Sequence, residues 1–590
     1  MNVSEFLDKN VLIFDGAMGT LYGELSNEKC ELANLNDNDR IIKIHKRYIK
    51  AGCNAIKSNT FGANTIGLSE DFNMVEKCIR YGFKTALNAV LNTNVFVFAD
   101  IGPIMKNDEN TFDEYCRIID VFLDEGAENF LFETFGSDEY LDKLAQKIKN
   151  ANPNAFILTQ FAVAPDGFTR QGLSGELMFS RILSSDFIDA LGFNCVSGAK
   201  HLCDYIKKFE LNKKPVSIMP NAGYPTIVRN KIYFEDNSEY FSDALAKAVK
   251  YGVKIVGGCC GSTPEYIRKT ALKLENISTE SKENHKIISI PSVEKSHKNN
   301  AFLNMIKDGI KPIAVELDTP INANIEKFME GARRLKIAGA DAITIADCPL
   351  ARARADSSLI ACKIKRELGI TPIVHMTCRD RNINATKALL LGLNIEGIDN
   401  VLTVTGDPVP SPLRDEIKAF FSFNSSVLAR LITEMNETVM KTPFHISGAL
   451  NVNAVNFESQ LKKAENKIKN GVKTFFTQPI LTESAFNNLK TAKKSLDANI
   501  FGGIIPVVSY RNACFMKNEI SGIDVDDYII ELYKDKTREE STELAVKISK
   551  SIVNKIEKYV DGFYILTPFN RVDIIEKIIN EILNNYRDGI

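Results

Sequence analysis

The chain has no apolar run approaching the roughly 18 residues needed to cross a bilayer, so no membrane-spanning helix is expected. Charge of either sign is barely in excess: 73 Lys and Arg stand against 75 Asp and Glu, a net −2, and no large basic block occurs. The electrostatic footprint of a nucleic-acid binder is therefore missing. The opening stretch, residues 1–9, mixes charges into its apolar residues and does not read as a secretory signal. These absences point to a cytoplasmic protein whose partners are neither nucleic acid nor membrane; a homo-oligomer stays open. In that reducing setting the 12 cysteines are better read as thiols or metal ligands than as a disulfide framework. A length of 590 residues exceeds what one hydrophobic core supports, so two or more domains are expected.

What is present is a rhythm. Short apolar runs recur at 11–15, 54–58, 95–99, 130–133, 156–159, 188–192, 215–219 and 254–257, and each reads as a strand. Between them, segments such as 71–91, 113–126 and 239–252 show helical apolar spacing. Residues 276–306 turn polar and lose periodicity, which places a linker at 281–306 between domains 1–280 and 307–590. The count then restarts at 312–316, 342–345, 372–375, 401–404, 444–447, 474–477, 503–507 and 562–566. Alternating strands and helices argue for an α/β fold with parallel sheets and helices outside. Eight such units in about 250 residues is the size of a (β/α)8 barrel. A doubly wound open sheet would place Gly-x-Gly-x-x-Gly after its first strand, and none is present. The expectation is two tandem (β/α)8 TIM-type barrels.

Barrel enzymes carry their chemistry at the C-terminal ends of strands. The polar residues there are Asp15, Asn59, Glu133, Cys195, Asn221, Cys259 and Cys260 in the first set. In the second they are Glu316, Asp347, His375, Asp407 and Gln478. Cys195, Cys259 and Cys260 end strands six and eight, so a closed barrel brings three thiols to one rim. Three thiolates suit a Zn2+ ion with an open fourth position for a small thiol substrate. An isolated Cys-Cys pair reads instead as two small buried residues, or as a vicinal disulfide. The flanking glycines of Gly257-Gly258-Cys259-Cys260-Gly261 and the matching Gly192-Phe193-Asn194-Cys195 favour the metal. Asp15 taken alone reads as an Asx-turn or helix cap.

With Asp15-Gly16-Ala17-Met18-Gly19-Thr20, Ser58-Asn59-Thr60-Phe61-Gly62-Ala63-Asn64 and Phe132-Glu133-Thr134, these motifs resemble the zinc-dependent homocysteine S-methyltransferases over residues 1–285. The resemblance implies Cys195, Cys259 and Cys260 as zinc ligands, with the homocysteine thiolate as the fourth. It implies that Asp15 and Glu133 hold the substrate ammonium and that the N–H groups of Gly16 and Ala17 take its carboxylate.

In the second half, Gly-Asp-Pro and Thr-Gln-Pro are each ordinary loop triplets. In order with Val315-Glu316, His375-Met376-Thr377-Cys378-Arg379-Asp380 and Tyr564-Ile565-Leu566-Thr567, they resemble methylenetetrahydrofolate reductase over 306–590. That implies FAD at the barrel mouth and hydride passage from NAD(P)H to a folate substrate. It implies Glu316 as general acid, Asp407 as the carboxylate facing flavin and substrate, and Gln478 as the partner of the pterin edge. His375, Met376, Gly406, Asp407 and Lys467 fall where the family contacts FAD, and Tyr510 stands where a phenylalanine often stacks on substrate. Thr405 replaces an arginine, and Leu450-Asn451-Val452-Asn453 replaces a Tyr-Pro-Glu stretch.

Together the two resemblances imply a bifunctional one-carbon enzyme. No cobalamin-binding Asp-x-His-x-x-Gly occurs, and a tertiary ring nitrogen is a poor leaving group. A sulfonium methyl donor, S-methylmethionine or S-adenosylmethionine, is therefore the alternative to methylfolate. A non-catalytic zinc and thiol sensor is the rival of another class. It needs a fourth protein ligand, and His201 falls in the helix after strand six rather than at a strand end.

Overall fold

The computed structural model describes residues 1–590 except 24–27, 106–109, 224–225, 229–230, 234–235, 276–294, 296–299, 408–423, 521 and 587–590. The chain divides into two compact units, Met1–Pro291 and Ser292–Ile590.

In the first unit the strands are β1 (Leu12–Ile13), β2 (Ala55–Lys57), β3 (Phe96–Ile101), β4 (Asn129–Phe135) and β5 (Phe156–Phe161). They continue as β6 (Ala190–Gly198), β7 (Val216–Asn221), a hairpin of β8 (Thr226–Val228) and β9 (Lys231–Tyr233), and β10 (Ile255–Val256). Apart from the antiparallel hairpin all pair in parallel, in the order β1-β10-β7-β6-β5-β4-β3-β2. The ring closes between Phe14 and Ala55, where Asn54 N–H donates to the Ile13 carbonyl at 2.8 Å and Asp15 N–H to that of Ala55 at 3.0 Å. The hairpin has no counterpart in the expected strands.

The second unit contains β11 (Ile313–Leu317), β12 (Ala342–Ile345), β13 (Thr371–Thr377), β14 (Asn400–Val404), β15 (His445–Leu450), β16 (Thr474–Pro479), β17 (Asn499–Ile504) and β18 (Gly562–Leu566). These close into a parallel barrel in chain order. Both units are therefore (β/α)8 barrels, as the apolar rhythm predicts.

Each barrel is filled by side chains from alternating strand positions and stoppered at its N-terminal end. In the first, Phe14, Phe98, Phe156, Leu158 and Met219 pack inside, and Val3 and Leu7 of the helix Val3–Lys9 join them. In the second, Phe302 of the helix Ala301–Lys307 stacks on Phe501 with centroids 5.2 Å apart. The polar stretch expected as linker thus ends in a helix that belongs to the second core. Its residues 281–294 and 296–299 lie outside the described residues. Among the described residues no helix is long and apolar enough to cross a membrane.

Candidate functional site

Cys195, Cys259 and Cys260 converge at the rim of the first barrel, with all three sulfurs within 4.8 Å of one another. Cys195 Sγ lies 3.6 Å from Cys260 Sγ. Tetrahedral zinc with Zn–S bonds near 2.3 Å separates its sulfurs by about 3.8 Å, so this spacing fits a metal's coordination edge. Cys195 is not the last strand residue: β6 runs on to Gly198 with a register shift after Asn194. There Cys195 and Val196 both adopt a φ of 55°. That conformation is costly for L-residues, most of all for a β-branched one, and such strain concentrates at working sites.

The glycines beside Cys259 serve two different needs. Gly258 is required by close approach, since a Cβ there would lie 2.1 Å from Ser262 Oγ. Only Gly261 of the run has a positive φ, 79°. The three thiols also share protons. Hydrogen bonds from Cys195 and Cys259 hold the Cys260 thiol down at about 3. Cys195 is eased down by Cys259 but pushed further up, by Cys260 and burial, to about 11.

One step inward lies a buried cluster of charge. Asp15 and Glu133, placed by β1 and β4, flank the ammonium of Lys57 from β2. Lys57 Nζ stands 3.0 Å from Glu133 Oε1, 3.9 Å from Asp15 Oδ1 and 3.4 Å from the Gly258 carbonyl. Asp15 caps no helix; its Oδ2 accepts the Lys57 backbone N–H at 3.2 Å, while Oδ1 is buried with no hydrogen-bond donor. Burial pushes the Asp15 carboxyl up to about 7, against the pull of Lys57. Burial works against the Lys57 charge, but Glu133 and Asp15 more than offset it and carry its pKa well up. Asp100 on β3 completes the cluster, raised by burial and by the Glu133 charge. Asn194 ties this cluster to the thiols. Its Nδ2 donates to Thr134 Oγ1 at 2.7 Å and Glu133 Oε1 at 3.3 Å, and sits 3.8 Å from Cys259 Sγ.

Two expectations change here. The Ala17 N–H is engaged by the Ser262 carbonyl at 3.0 Å, because Gly16 lets the two backbones touch. It is not available for a carboxylate. Asn59 turns inward, donating to the Cys30 carbonyl at 2.7 Å and Asn34 Oδ1 at 2.9 Å. Lys57, Asp100 and Asn194 were not singled out by the sequence, although a lysine inside the apolar run 54–58 is a detectable anomaly.

At the mouth of the second barrel Glu316 accepts a hydrogen bond from the Tyr564 hydroxyl. The parallel register sets Ala314 beside Tyr564, which puts Glu316, two residues on, on the same face. Burial pushes the Glu316 carboxyl up to about 7, eased by Tyr564 and reinforced by the charges of Asp318 and Asp407. His375 Nε2 lies 3.6 Å from Glu316 Oε2, and burial holds that imidazole down at about 4, so it is neutral. Its Nε2 is buried without a hydrogen-bond partner. Gly406 has a φ of 96° and turns the chain so that the Asp407 carbonyl accepts from Arg379 Nη1 at 2.8 Å.

Lys467 reaches the Ala449 carbonyl at 3.0 Å, and burial lowers its pKa to about 8. Met376 is fully buried on β13. Gln478 is half-buried on β16, two strands round the ring from β18, and Tyr510 begins the helix Tyr510–Glu519 with an exposed ring. Asp347 spends itself on Thr377 and Arg381, a structural role. Tyr564 was not singled out for a role. Phe569, exposed at a φ of 53°, lines two cavities of about 630 and 550 Å³, the second together with Tyr510.

Comparison with known proteins follows the same division. Residues 12–274 match the family model for homocysteine S-methyltransferase, and residues 302–583 match that for methylenetetrahydrofolate reductase. Methionine synthase of Mycobacterium tuberculosis (strain ATCC 25618 / H37Rv) is 28% identical over 302 residues, 46% of this chain and 25% of that protein. Methionine synthase of Mycobacterium leprae (strain TN) is 28% identical over 297 residues, 45% of this chain and 24% of that one. The chain thus spans about a quarter of the length of these relatives. Among solved structures, the metallated form of the homocysteine methyltransferase MmuM from Escherichia coli aligns at 18% identity and a TM-score of 0.38, over 46% of this chain and 99% of that one.

Proposed function

We propose, from the premise that the chain carries a homocysteine S-methyltransferase domain and a methylenetetrahydrofolate reductase domain in tandem, that it methylates homocysteine to methionine and reduces 5,10-methylenetetrahydrofolate to 5-methyltetrahydrofolate. The first activity belongs to 1–280. The second belongs to 307–590, with the helix Ala301–Lys307 as its stopper. The observation that carries the reading is the trio of sulfurs at metal-coordination spacing beside a buried carboxylate cluster.

Cys195, Cys259 and Cys260 would hold zinc, which supplies a Lewis acid that keeps a bound substrate thiol deprotonated near neutral pH. The residues around it do the rest. Asp15 Oδ1, buried and without a donor, offers a lone pair to the substrate ammonium, with Glu133 beside it. Gly16 is the remaining expected backbone contact for the carboxylate. The homocysteine sulfur attacks the donor methyl carbon. The carbon–nitrogen bond of methylfolate breaks, its electron pair stays on nitrogen, and that nitrogen takes up a proton.

His375, Met376, Gly406, Asp407 and Lys467 would hold FAD, which would supply hydride transfer from NAD(P)H to the folate carbon. The orphaned His375 Nε2 and the left-handed Gly406 fit such a ligand. Glu316, half protonated near pH 7, gives its proton to the folate nitrogen as the one-carbon bridge opens. Asp407 faces the resulting cation. Gln478 presents a donor and an acceptor to the pterin edge, and Tyr510 a stacking face.

Feeding the zinc- and flavin-loaded protein homocysteine with each donor tests this reading. Methionine from 5-methyltetrahydrofolate without added cobalamin is the expected result. Methionine only from S-methylmethionine or S-adenosylmethionine reassigns the first barrel to a sulfonium donor. No methionine from any of them removes the methyltransferase reading. A protein that neither binds flavin nor reduces the folate removes the other.

A further inference from the structure

Lys57 occupies the place assigned to a substrate group. Its ammonium is 3.0 Å from Glu133 and 3.9 Å from Asp15, the two carboxylates read as the amine subsite. It is buried, as are both acids and the neighbouring Asp100. A strand lysine directed into a ring of acids is no surface ion pair; its position is fixed by β2, whose backbone N–H at Lys57 also binds Asp15. Buried carboxylates must be paired or they cost heavily. A site whose acids wait for a substrate cation needs no lysine among them. A site that carries its own cation keeps those acids paired whether or not the incoming thiol brings an amino group.

We propose that Lys57 is a resident stand-in for the substrate ammonium, so that the thiol site also takes thiol carboxylates with no α-amino group. The inference rests on the zinc–thiol reading above and adds a substrate class to it. Three acids face one lysine, so homocysteine still gains from Asp15 Oδ1, which has no donor of its own. A desamino thiol such as 4-mercaptobutanoate leaves the pairing of Lys57 with the acids undisturbed. Without Lys57 the same thiol would leave the acids with no cation at all, while homocysteine would still bring one. Lys57 is then a specificity residue, and its removal must change the ratio of the two affinities rather than both alike.

Calorimetric titration of the zinc-loaded full chain with homocysteine and with 4-mercaptobutanoate reads this ratio without needing a methyl donor. In the natural protein the two dissociation constants should lie within about tenfold of each other, and in Lys57→Met and Lys57→Gln the preference for homocysteine should grow by about tenfold or more. Zinc content of each variant checks that the thiols are still in place. If the natural protein rejects 4-mercaptobutanoate while binding homocysteine, Lys57 is no stand-in. The same follows if the variants weaken both thiols equally, the outcome of a merely structural lysine. If neither thiol binds the zinc-loaded natural protein, the zinc–thiol reading itself falls and takes this inference with it.

Discussion

A carboxyl serves as an acid near neutral pH only if its surroundings hold the proton on, and at Glu316 two opposing influences are visible. Burial raises its pKa to about 7, while the Tyr564 hydroxyl, donating to the carboxylate, lowers it. In the role proposed for Glu316 the acid form is the working one, so folate reduction should fall as pH rises through about 7. Tyr564→Phe deletes the hydrogen bond that favours the charged form, so the alkaline limb should move up, by roughly one unit. A pH profile of kcat/KM for the folate step checks this, and a limb that moves down would reverse the assigned role. Glu316→Gln should abolish the folate step while flavin reduction by NAD(P)H continues, read in a stopped-flow half-reaction. The acid was legible because it ends an apolar run. Its tyrosine was not, since Tyr564 in such a run looks like one more strand residue. Lys57 stands out as a charge in an apolar run, but the run alone gives it no partner. Only ring closure, which sets β2 against β1 and β18 against β11, gives either residue its partner.

Strands of a parallel barrel are buried on both faces, so they appear as continuous apolar runs, and both sets of eight could be counted from the residues. Their ends are harder. β6 passes through the polar Asn194-Cys195 and ends at Gly198, because the irregular pairing there, not the loss of apolar residues, decides where the strand stops. The segment after β10 is equally constrained. Ser262 Oγ donates to the Cys259 carbonyl at 2.6 Å, and Gly258 packs against that serine too closely for a Cβ. Gly258→Ala should displace Ser262 and loosen Cys259, weakening zinc by about 10–100-fold in a competitive chelator titration. Unchanged zinc affinity would mean that the turn tolerates the methyl and that its glycine has another purpose. The helix Ala301–Lys307 escaped the sequence because its neighbourhood is polar, yet Phe302 is 2% exposed and stacks on Phe501 of β17. Phe302→Ala should destabilise the second barrel by about 3–5 kcal/mol, measured by urea unfolding followed through bound flavin.

For the whole molecule, the consequential fact is that the residues named at each site all lie within one unit. The first barrel closes its own ring through Phe14 and Ala55, fills it with its own aromatic residues and stoppers it with Val3 and Leu7. The second closes through β11 and β18 and is stoppered by Phe302. The thiols, Asp15, Lys57 and Glu133 all lie within Met1–Pro291, and Glu316, His375, Asp407 and Tyr564 within Ser292–Ile590. Two rings, each complete, should act as two catalysts on one chain. Cys259→Ala removes a proposed zinc ligand that is buried at the rim, so zinc content and thiol methylation should both be lost. The charge cluster behind it keeps its pairing through Lys57, so the first barrel should stay folded. Reduction of the folate substrate should then proceed at a rate within about twofold of the natural protein, since independent sites act additively and the named residues of the two sites belong to different units. Chelation of zinc from the natural protein should reproduce the same split without any substitution. A variant that loses both activities while keeping its flavin would show that the second barrel depends on the state of the first.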